Sequence, residues 1–277
     1  MSEEALTMNE YTKSAQYKQL LVATTFDKKG HVFQVTVEEA PEPAPSTAAI
    51  TAIIDHTLLK PDTSEEQMVK FCQEAKDYHF GAVCVNSCWV SFCVKQLEGT
   101  SVKVGSTVGF PWGTPSTESK VIETRQAIKA GAREVDMVLN IGKLKSWDYQ
   151  YVANDIHEVV RAAHKHDVLV KVILETCLLT EEEKVIACLI AKQAGVDFVK
   201  TSTGFAGPGA TVEDVALMRS VVGLDMGVKA AGGVRTYEDV KKMIAAGATR
   251  IGTSAGIRIA QEAAGEYTSQ PQTPDAY

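Results

Sequence analysis

The stretch Phe198-Val199-Lys200-Thr201-Ser202-Thr203-Gly204-Phe205 sets a lysine in the middle of a short apolar strand and runs straight into a turn of small residues. Beyond it come Gly207-Pro208-Gly209 and a helix opening near Thr211. Inside a parallel sheet covered on both faces an ammonium group loses its water, which is costly unless the group is paired or gives up its proton. A lysine treated in this way becomes an amine nucleophile able to form a Schiff base. Alternation along the strand puts Phe198, Lys200 and Ser202 on one face and Val199, Thr201 and Thr203 on the other, so an inward Lys200 is crowded only by small hydroxyl side chains. The competing reading is a lysine on an exposed strand or in a structural ion pair, and the rest of the chain decides between them.

Outward from this strand the same unit of strand, turn and helix repeats from Ala49 onward. The expected strands are Ile53 to Leu58, Ala82 to Asn86, Val102 to Val108, Glu134 to Asn140, Leu169 to Glu175, Phe198 to Thr203, Val228 to Ala231 and Arg250 to Ser254. Helix starts are marked by capping residues in Thr63-Ser64-Glu65-Glu66, Ser116-Thr117-Glu118-Ser119, Thr180-Glu181-Glu182-Glu183 and Thr236-Tyr237-Glu238-Asp239. Helix ends are marked by Gly131, Gly195 and Gly247, each leading into the next strand. Eight such strands, short loops and no dinucleotide fingerprint predict an α/β protein, a closed (β/α)8 TIM barrel, with an open doubly wound sheet as the competing architecture. Before Ala49, Leu20 to Phe26 and His31 to Val37 flank Asp27-Lys28-Lys29-Gly30 as a β-hairpin, and the proline-rich run from Glu38 to Ala49 reads as a linker. The expected organisation is therefore an extension and linker over 1–49, a barrel over 50–264 and a flexible tail over 265–277.

Four consecutive strands carry an ionisable residue where a buried parallel strand should be apolar: Asp136, Lys171, Lys200 and Lys229. Consecutive barrel strands are neighbours, and the lysines recur at equal intervals of 29 residues, about one βα unit each. A second ammonium beside Lys200 penalises its charged form and lowers its pKa toward the ~7 to 8 that suits an amine nucleophile. Asp136 can hold one lysine charged and shuttle protons. An inward ion-pair network with a purely structural role is the alternative. In this architecture the loops after the seventh and eighth strands commonly bind phosphate through backbone N–H groups and a helix amino terminus. Here they read Ala231-Gly232-Gly233-Val234-Arg235-Thr236 and Gly252-Thr253-Ser254-Ala255-Gly256, glycines letting the backbone approach an anion and Ser254 adding a hydroxyl.

With 277 residues the chain fits a barrel of the usual size, and 45% hydrophobic with 23% charged residues is the balance of a soluble globular protein. No apolar run reaches the ~20 residues a membrane span needs, and Met1-Ser2-Glu3-Glu4-Ala5 lacks the order of a secretory signal, so a cytoplasmic protein is expected. A net charge of -7 argues against nucleic-acid partners and for phosphate recognition on the scale of a small molecule. The six cysteines are expected to be reduced. Cys84, Cys88 and Cys93 cluster without zinc spacing, so neither a metal nor another cofactor is expected. Exposed strand surface in the hairpin favours self-association, and a homo-oligomer is expected.

The quoted stretch and Ala230-Ala231-Gly232-Gly233-Val234-Arg235-Thr236 closely resemble the deoxyribose-phosphate aldolase family, class I aldolases built on the (β/α)8 barrel. The likeness extends through Asp55-His56-Thr57-Leu58-Leu59-Lys60-Pro61, Val83-Cys84-Val85-Asn86, Gly105-Ser106-Thr107-Val108-Gly109-Phe110-Pro111 and Glu134-Val135-Asp136-Met137-Val138-Leu139-Asn140, covering roughly 50–264. It implies reversible cleavage of 2-deoxy-D-ribose 5-phosphate to D-glyceraldehyde 3-phosphate and acetaldehyde, without a metal. It implies Lys200 as the Schiff-base lysine, Lys229 as the lysine that perturbs it, Asp136 as the proton relay and Lys171 as a supporting charge. Gly204, Gly232, Gly233, Val234, Gly252 and Ser254 match the family's phosphate contacts. A lysine that follows the Thr-Ser-Thr-Gly run in some members is Phe205 here, which shifts the anion toward backbone amides and Arg235. In some relatives a tail tyrosine assists proton transfer, and Tyr277 holds the matching place. The rival functions are a metal-dependent aldolase or sugar-phosphate isomerase on the same barrel, marked by chelator sensitivity, and a catalytically silent sugar-phosphate binder, marked by binding without imine formation.

Overall fold

A computed structural model of the chain describes residues 20–26 and 32–39, as backbone, and 46–266 in full. The expected hairpin turn, half of the linker and Tyr277 with the tail beyond Glu266 lie outside the described residues. Strands β1 (Leu20–Phe26) and β2 (Val32–Glu39) pair antiparallel, as expected of the two runs that flank Asp27-Lys28-Lys29-Gly30.

Eight further strands close into a parallel barrel: β3 (Ile54–Leu58), β4 (Ala82–Val85), β5 (Lys103–Val108), β6 (Glu134–Val138), β7 (Leu169–Ile173), β8 (Phe198–Lys200), β9 (Gly227–Ala231) and β10 (Arg250–Thr253). They run round the barrel in chain order, and β10 pairs with β3 to close it. That closure rules out the open doubly wound sheet. The helices are α1 (Thr47–Ala52), α2 (Glu65–Asp77), α3 (Val90–Gln96), α4 (Thr117–Lys129), α5 (Ile141–Lys145), α6 (Tyr149–His164), α7 (Glu181–Gln193), α8 (Val212–Val222), α9 (Tyr237–Ala245) and α10 (Gly256–Ala263). None of the described helices is long and apolar enough to cross a membrane.

The caps explain why the helices start where they do. Ser64, Thr180 and Thr236 each complete a reciprocal capping box, and Ser116 accepts from Ser119 N–H. One helix was hidden in the run read as linker: Ser46 caps α1, and Ile50 on it is fully buried. Each barrel strand sends valine or isoleucine toward the helices, with Val135, Val170, Val172, Val199, Val228 and Ile251 fully buried. Each contributes about 1.5 to 3 kcal/mol of apolar burial. The alternate residues, Glu134, Asp136, Lys171, Lys200, Lys229 and Arg250, thereby face the barrel axis.

Strand β8 is shorter than expected, and beyond Lys200 side chains join the main chain in its pairing. Thr201 Oγ1 donates to the Ala231 carbonyl and accepts from the Ala231 N–H, both at 3.1 Å. Thr203 N–H turns instead to the Glu175 carboxylate at the end of β7. The chain therefore leaves the ladder after Thr201 while still fixed to both neighbours.

Candidate active site

Register places the predicted residues side by side. Asp136 pairs with Lys171 across β6 and β7, Ile173 with Lys200 across β7 and β8, and Lys200 with Lys229 across β8 and β9. Lys200 is 3% exposed and donates to Asp136 Oδ2 at 2.9 Å. Lys229 Nζ reaches the same oxygen at 2.8 Å, and Lys171 Nζ takes Asp136 Oδ1 at 2.9 Å. One carboxylate thus accepts from three ammonium groups.

Beneath this layer lies a second one that sequence reasoning did not assign. Lys229 also donates to Asp55, and Lys171 to Glu134. Arg250 bridges the two carboxylates, 2.7 Å to Asp55 Oδ1 and 3.3 Å to Glu134 Oε1, with its guanidinium over the Phe198 ring. The network holds four cations, Lys171, Lys200, Lys229 and Arg250, against three carboxylates, Asp55, Glu134 and Asp136. With every group ionised it carries one surplus positive charge. If Lys200 is neutral, the charges balance.

Burial by itself raises the Asp136 carboxyl, but the ammonium groups of Lys171, Lys200 and Lys229 outweigh it and hold it well below the usual carboxylate range. Asp55 behaves alike: burial raises it, and Lys229, Lys171 and Arg250 draw it below its ordinary value. For Lys171 burial works downward, yet Asp136, Asp55 and Glu134 carry the ammonium well above its ordinary value. Lys229 is likewise raised, by Asp136 and Asp55 against burial and the Lys171 charge. Cys84 Sγ lies 4.0 Å from Asp136 Oδ2, and burial with that carboxylate pushes its thiol up, so it stays protonated. Of the other two clustered cysteines, Cys93 is buried and Cys88 exposed.

The glycine-rich loops after β8 and β9 come together. Gly204, Gly232 and Gly233 have φ of 87°, 80° and 76°, the left-handed region open to glycine. A Cβ on Gly232 would stand 2.9 Å from Gly209 Cα and 3.6 Å from Gly204 Cα, so the loops touch backbone to backbone. Beside them Ser202 Oγ is fully buried and makes no hydrogen bond. Val234 is buried, and its carbonyl accepts from Thr253 Oγ1 at 2.7 Å, tying the end of β10 to the β9 loop just before the exposed Ser254. The Arg235 N–H donates to Asp239 Oδ2 within the α9 capping box. Gly252 sits lower, inside β10, where a Cβ would fall 2.9 Å from Lys229 Cε. The structure therefore sets Gly252 against the Lys229 side chain.

Three ammonium groups focus on one carboxylate below the glycine-rich loops after β8 and β9, a buried-amine site at the centre of a closed barrel. A model of the DeoC/LacD family of aldolases matches residues 49–262, and the chain belongs to that family. It is 60% identical over 216 residues to a deoxyribose-phosphate aldolase of Streptococcus sanguinis, an overlap of 77% of this chain and 97% of the relative. It is 58% identical over 219 residues to a deoxyribose-phosphate aldolase of Thermococcus kodakarensis, covering 78% of this chain and 98% of the other. The tetrameric deoxyribose phosphate aldolase from Aeropyrum pernix superposes with a TM-score of 0.74 at 32% identity, over 78% of this chain and 92% of that one.

Proposed function

We propose that the barrel cleaves 2-deoxy-D-ribose 5-phosphate reversibly to D-glyceraldehyde 3-phosphate and acetaldehyde through an imine on Lys200. The carrying observation is the placement of Lys200 Nζ, nearly buried and within hydrogen-bond distance of an Asp136 carboxylate that also holds Lys229. As a free amine Lys200 attacks C1 of the open-chain sugar, and loss of water gives the iminium. The C3 hydroxyl proton leaves, the C2–C3 electrons flow into a C1=C2 enamine, and C3 to C5 depart as the phosphorylated aldehyde. Protonation at C2 and hydrolysis release acetaldehyde and restore the amine.

In this reading Asp136 stabilises the iminium and relays the C3 proton through a water, Lys229 stays charged beside it, and Lys171 fixes the other Asp136 oxygen. Gly204, Gly232, Gly233 and Val234 supply the phosphate cradle, with Ser254 and Arg235 at its β9 and β10 side and Gly252 deeper, against Lys229. Residues 50–264 act as the catalytic unit in a cytoplasmic homo-oligomer that takes small phosphosugars and aldehydes rather than nucleic acid, with 1–49 and 265–277 as appendages. Tyr277 belongs to the proposal as a proton donor to the enamine: thirteen tail residues at ~3.3 Å each span roughly 40 Å, enough to return over the barrel mouth. Deleting Tyr277 is expected to slow turnover and deuterium exchange into acetaldehyde with imine trapping intact. Unchanged exchange would remove Tyr277 from the mechanism. The central test is borohydride reduction with substrate followed by peptide mapping. An adduct on Lys200 is expected, and its absence would sink the reading.

A further inference from the structure

The loops after β5 and β8 lean toward each other over the carboxyl ends of the two strands between them. A Cβ on Gly113 would fall 2.0 Å from the Leu139 carbonyl oxygen, so the β5 loop is pressed onto the end of β6. A Cβ on Gly207 would fall 3.5 Å from Cys177 Sγ, which sets the β8 loop beside the turn that follows β7. The two loops meet through Phe110 and Phe205, whose rings stand 5.2 Å apart at 85°. That edge-to-face arrangement is one that aromatic pairs favour. Because β6 and β7 separate β5 from β8, the pair spans the barrel mouth above the strands that carry Asp136 and Lys171.

Phe205 is held there from below and left open above. Its N–H donates to Thr203 Oγ1 at 3.0 Å, and the Thr203 hydroxyl donates in turn to the buried Glu175. Glu175 adopts a left-handed φ of 56°, a conformation a non-glycine residue keeps only when its surroundings demand it. Despite this anchoring the Phe205 side remains 44% exposed, an apolar surface facing solvent at the entrance to a site otherwise lined with charge. Phe205 also directly follows Gly204, so anything seated on the glycine cradle passes beside this ring.

We infer that Phe110 and Phe205 form an apolar wall against which the carbon chain of the acceptor aldehyde packs, and that this wall sets the enzyme's preference among aldehydes independently of the phosphate cradle. The inference rests on the lysine-imine reading above. The rings offer no hydrogen-bond partner to hydroxyl groups, so they reward alkyl chain over polar chain. The cradle rewards phosphate at the far end of the acceptor. Each acceptor thus draws on the two surfaces in a different proportion.

The test runs the reaction in the condensing direction, with acetaldehyde as donor and either butanal or D-glyceraldehyde 3-phosphate as acceptor. Phe205→Ala is expected to lower kcat/KM for butanal about tenfold, on the scale of two buried methylenes, and to change it for the phosphorylated acceptor by less than about threefold. Phe205→Leu, which keeps apolar bulk, restores most of the butanal rate, and Phe110→Ala reproduces the pattern from the facing loop. Borohydride trapping of acetaldehyde on Lys200 accompanies every assay. Trapping retained with equal losses for both acceptors, or with no loss for butanal, overturns the wall and leaves the imine chemistry standing. Failure of trapping in the unaltered enzyme overturns the imine reading itself.

Discussion

In the proposed mechanism the chemistry turns on Asp136, whose two oxygens accept from Lys171, Lys200 and Lys229 at 2.8 to 2.9 Å. Held well below the ordinary carboxylate range, it is a weak base by itself and a strong counter-ion, which fits stabilising an iminium and passing a proton onward through water. Asp136→Asn is expected to cut kcat by about 10²- to 10⁴-fold, the usual range for a proton-transfer group, while Lys200 still traps. Retention of near-normal kcat would remove Asp136 from the relay. Lys200→Ala should abolish trapping and turnover together, with the fold intact, since it removes an ammonium that is costly to bury. Lys229 acts through charge count. Its removal leaves three cations against three carboxylates. Lys229→Leu should therefore trap slowly and turn over slowly, and near-normal rates of both would remove Lys229 from the chemistry.

Strand and loop geometry decides how the proposed cradle would meet phosphate. Gly232, at φ of 80° and against Gly209, leaves no space for a methyl group, so Gly232→Ala must push the β8 and β9 loops apart. The expected result is a KM for the phosphosugar raised roughly tenfold, the scale of one hydrogen bond to an anion, with little change toward an unphosphorylated substrate. Equal losses on both would place Gly232 outside the cradle. Gly252→Ala, whose Cβ would press on Lys229 Cε, is expected to lower kcat instead, because it displaces the amine. Much of this was readable along single strands: period-two alternation exposed Asp136, Lys171, Lys200 and Lys229 as charges among valines, and the glycine pairs marked the two loops that meet. Asp55, Glu134 and Arg250 were not readable in the same way. Each sits at or near the start of its strand beside another polar residue, where a charge ordinarily faces water. What turns them inward is the stagger of the closed barrel, set by the β10 to β3 pairing. Glu175 was hidden for another reason, since its role depends on a left-handed φ and on Thr203 leaving the ladder.

At the scale of the whole molecule, the barrel interior is an ionic layer clasped by an apolar one, and the molecule's pH tolerance follows from it. Asp55 and Asp136 bind protons less readily folded than unfolded, so their contribution to stability is complete above the unfolded value of about 3.9 and declines as the pH falls below it. Lys171 and Lys229 hold protons more tightly when folded, so their contribution is complete below about 10.4 and declines as the pH rises further. The cluster therefore stabilises the fold fully between about pH 4 and pH 10 and is lost toward either extreme. Glu134→Ala tests its weight, because this carboxylate touches Lys171 and Arg250 yet lies a layer below Lys200. Breaking a buried network by removing one partner strands a cation, and the urea-derived unfolding free energy at pH 7 should fall by roughly 3 to 5 kcal/mol. Asp55→Asn removes one of the depressed carboxylates, so its stability should change less steeply than that of the unaltered protein between pH 5 and pH 3. Urea titrations at pH 3, 5, 7 and 9 separate the two effects. Identical acid limbs in the variant and the unaltered protein would mean that Asp55 titrates alike folded and unfolded, and that the ionic layer serves the amine chemistry without holding the barrel together.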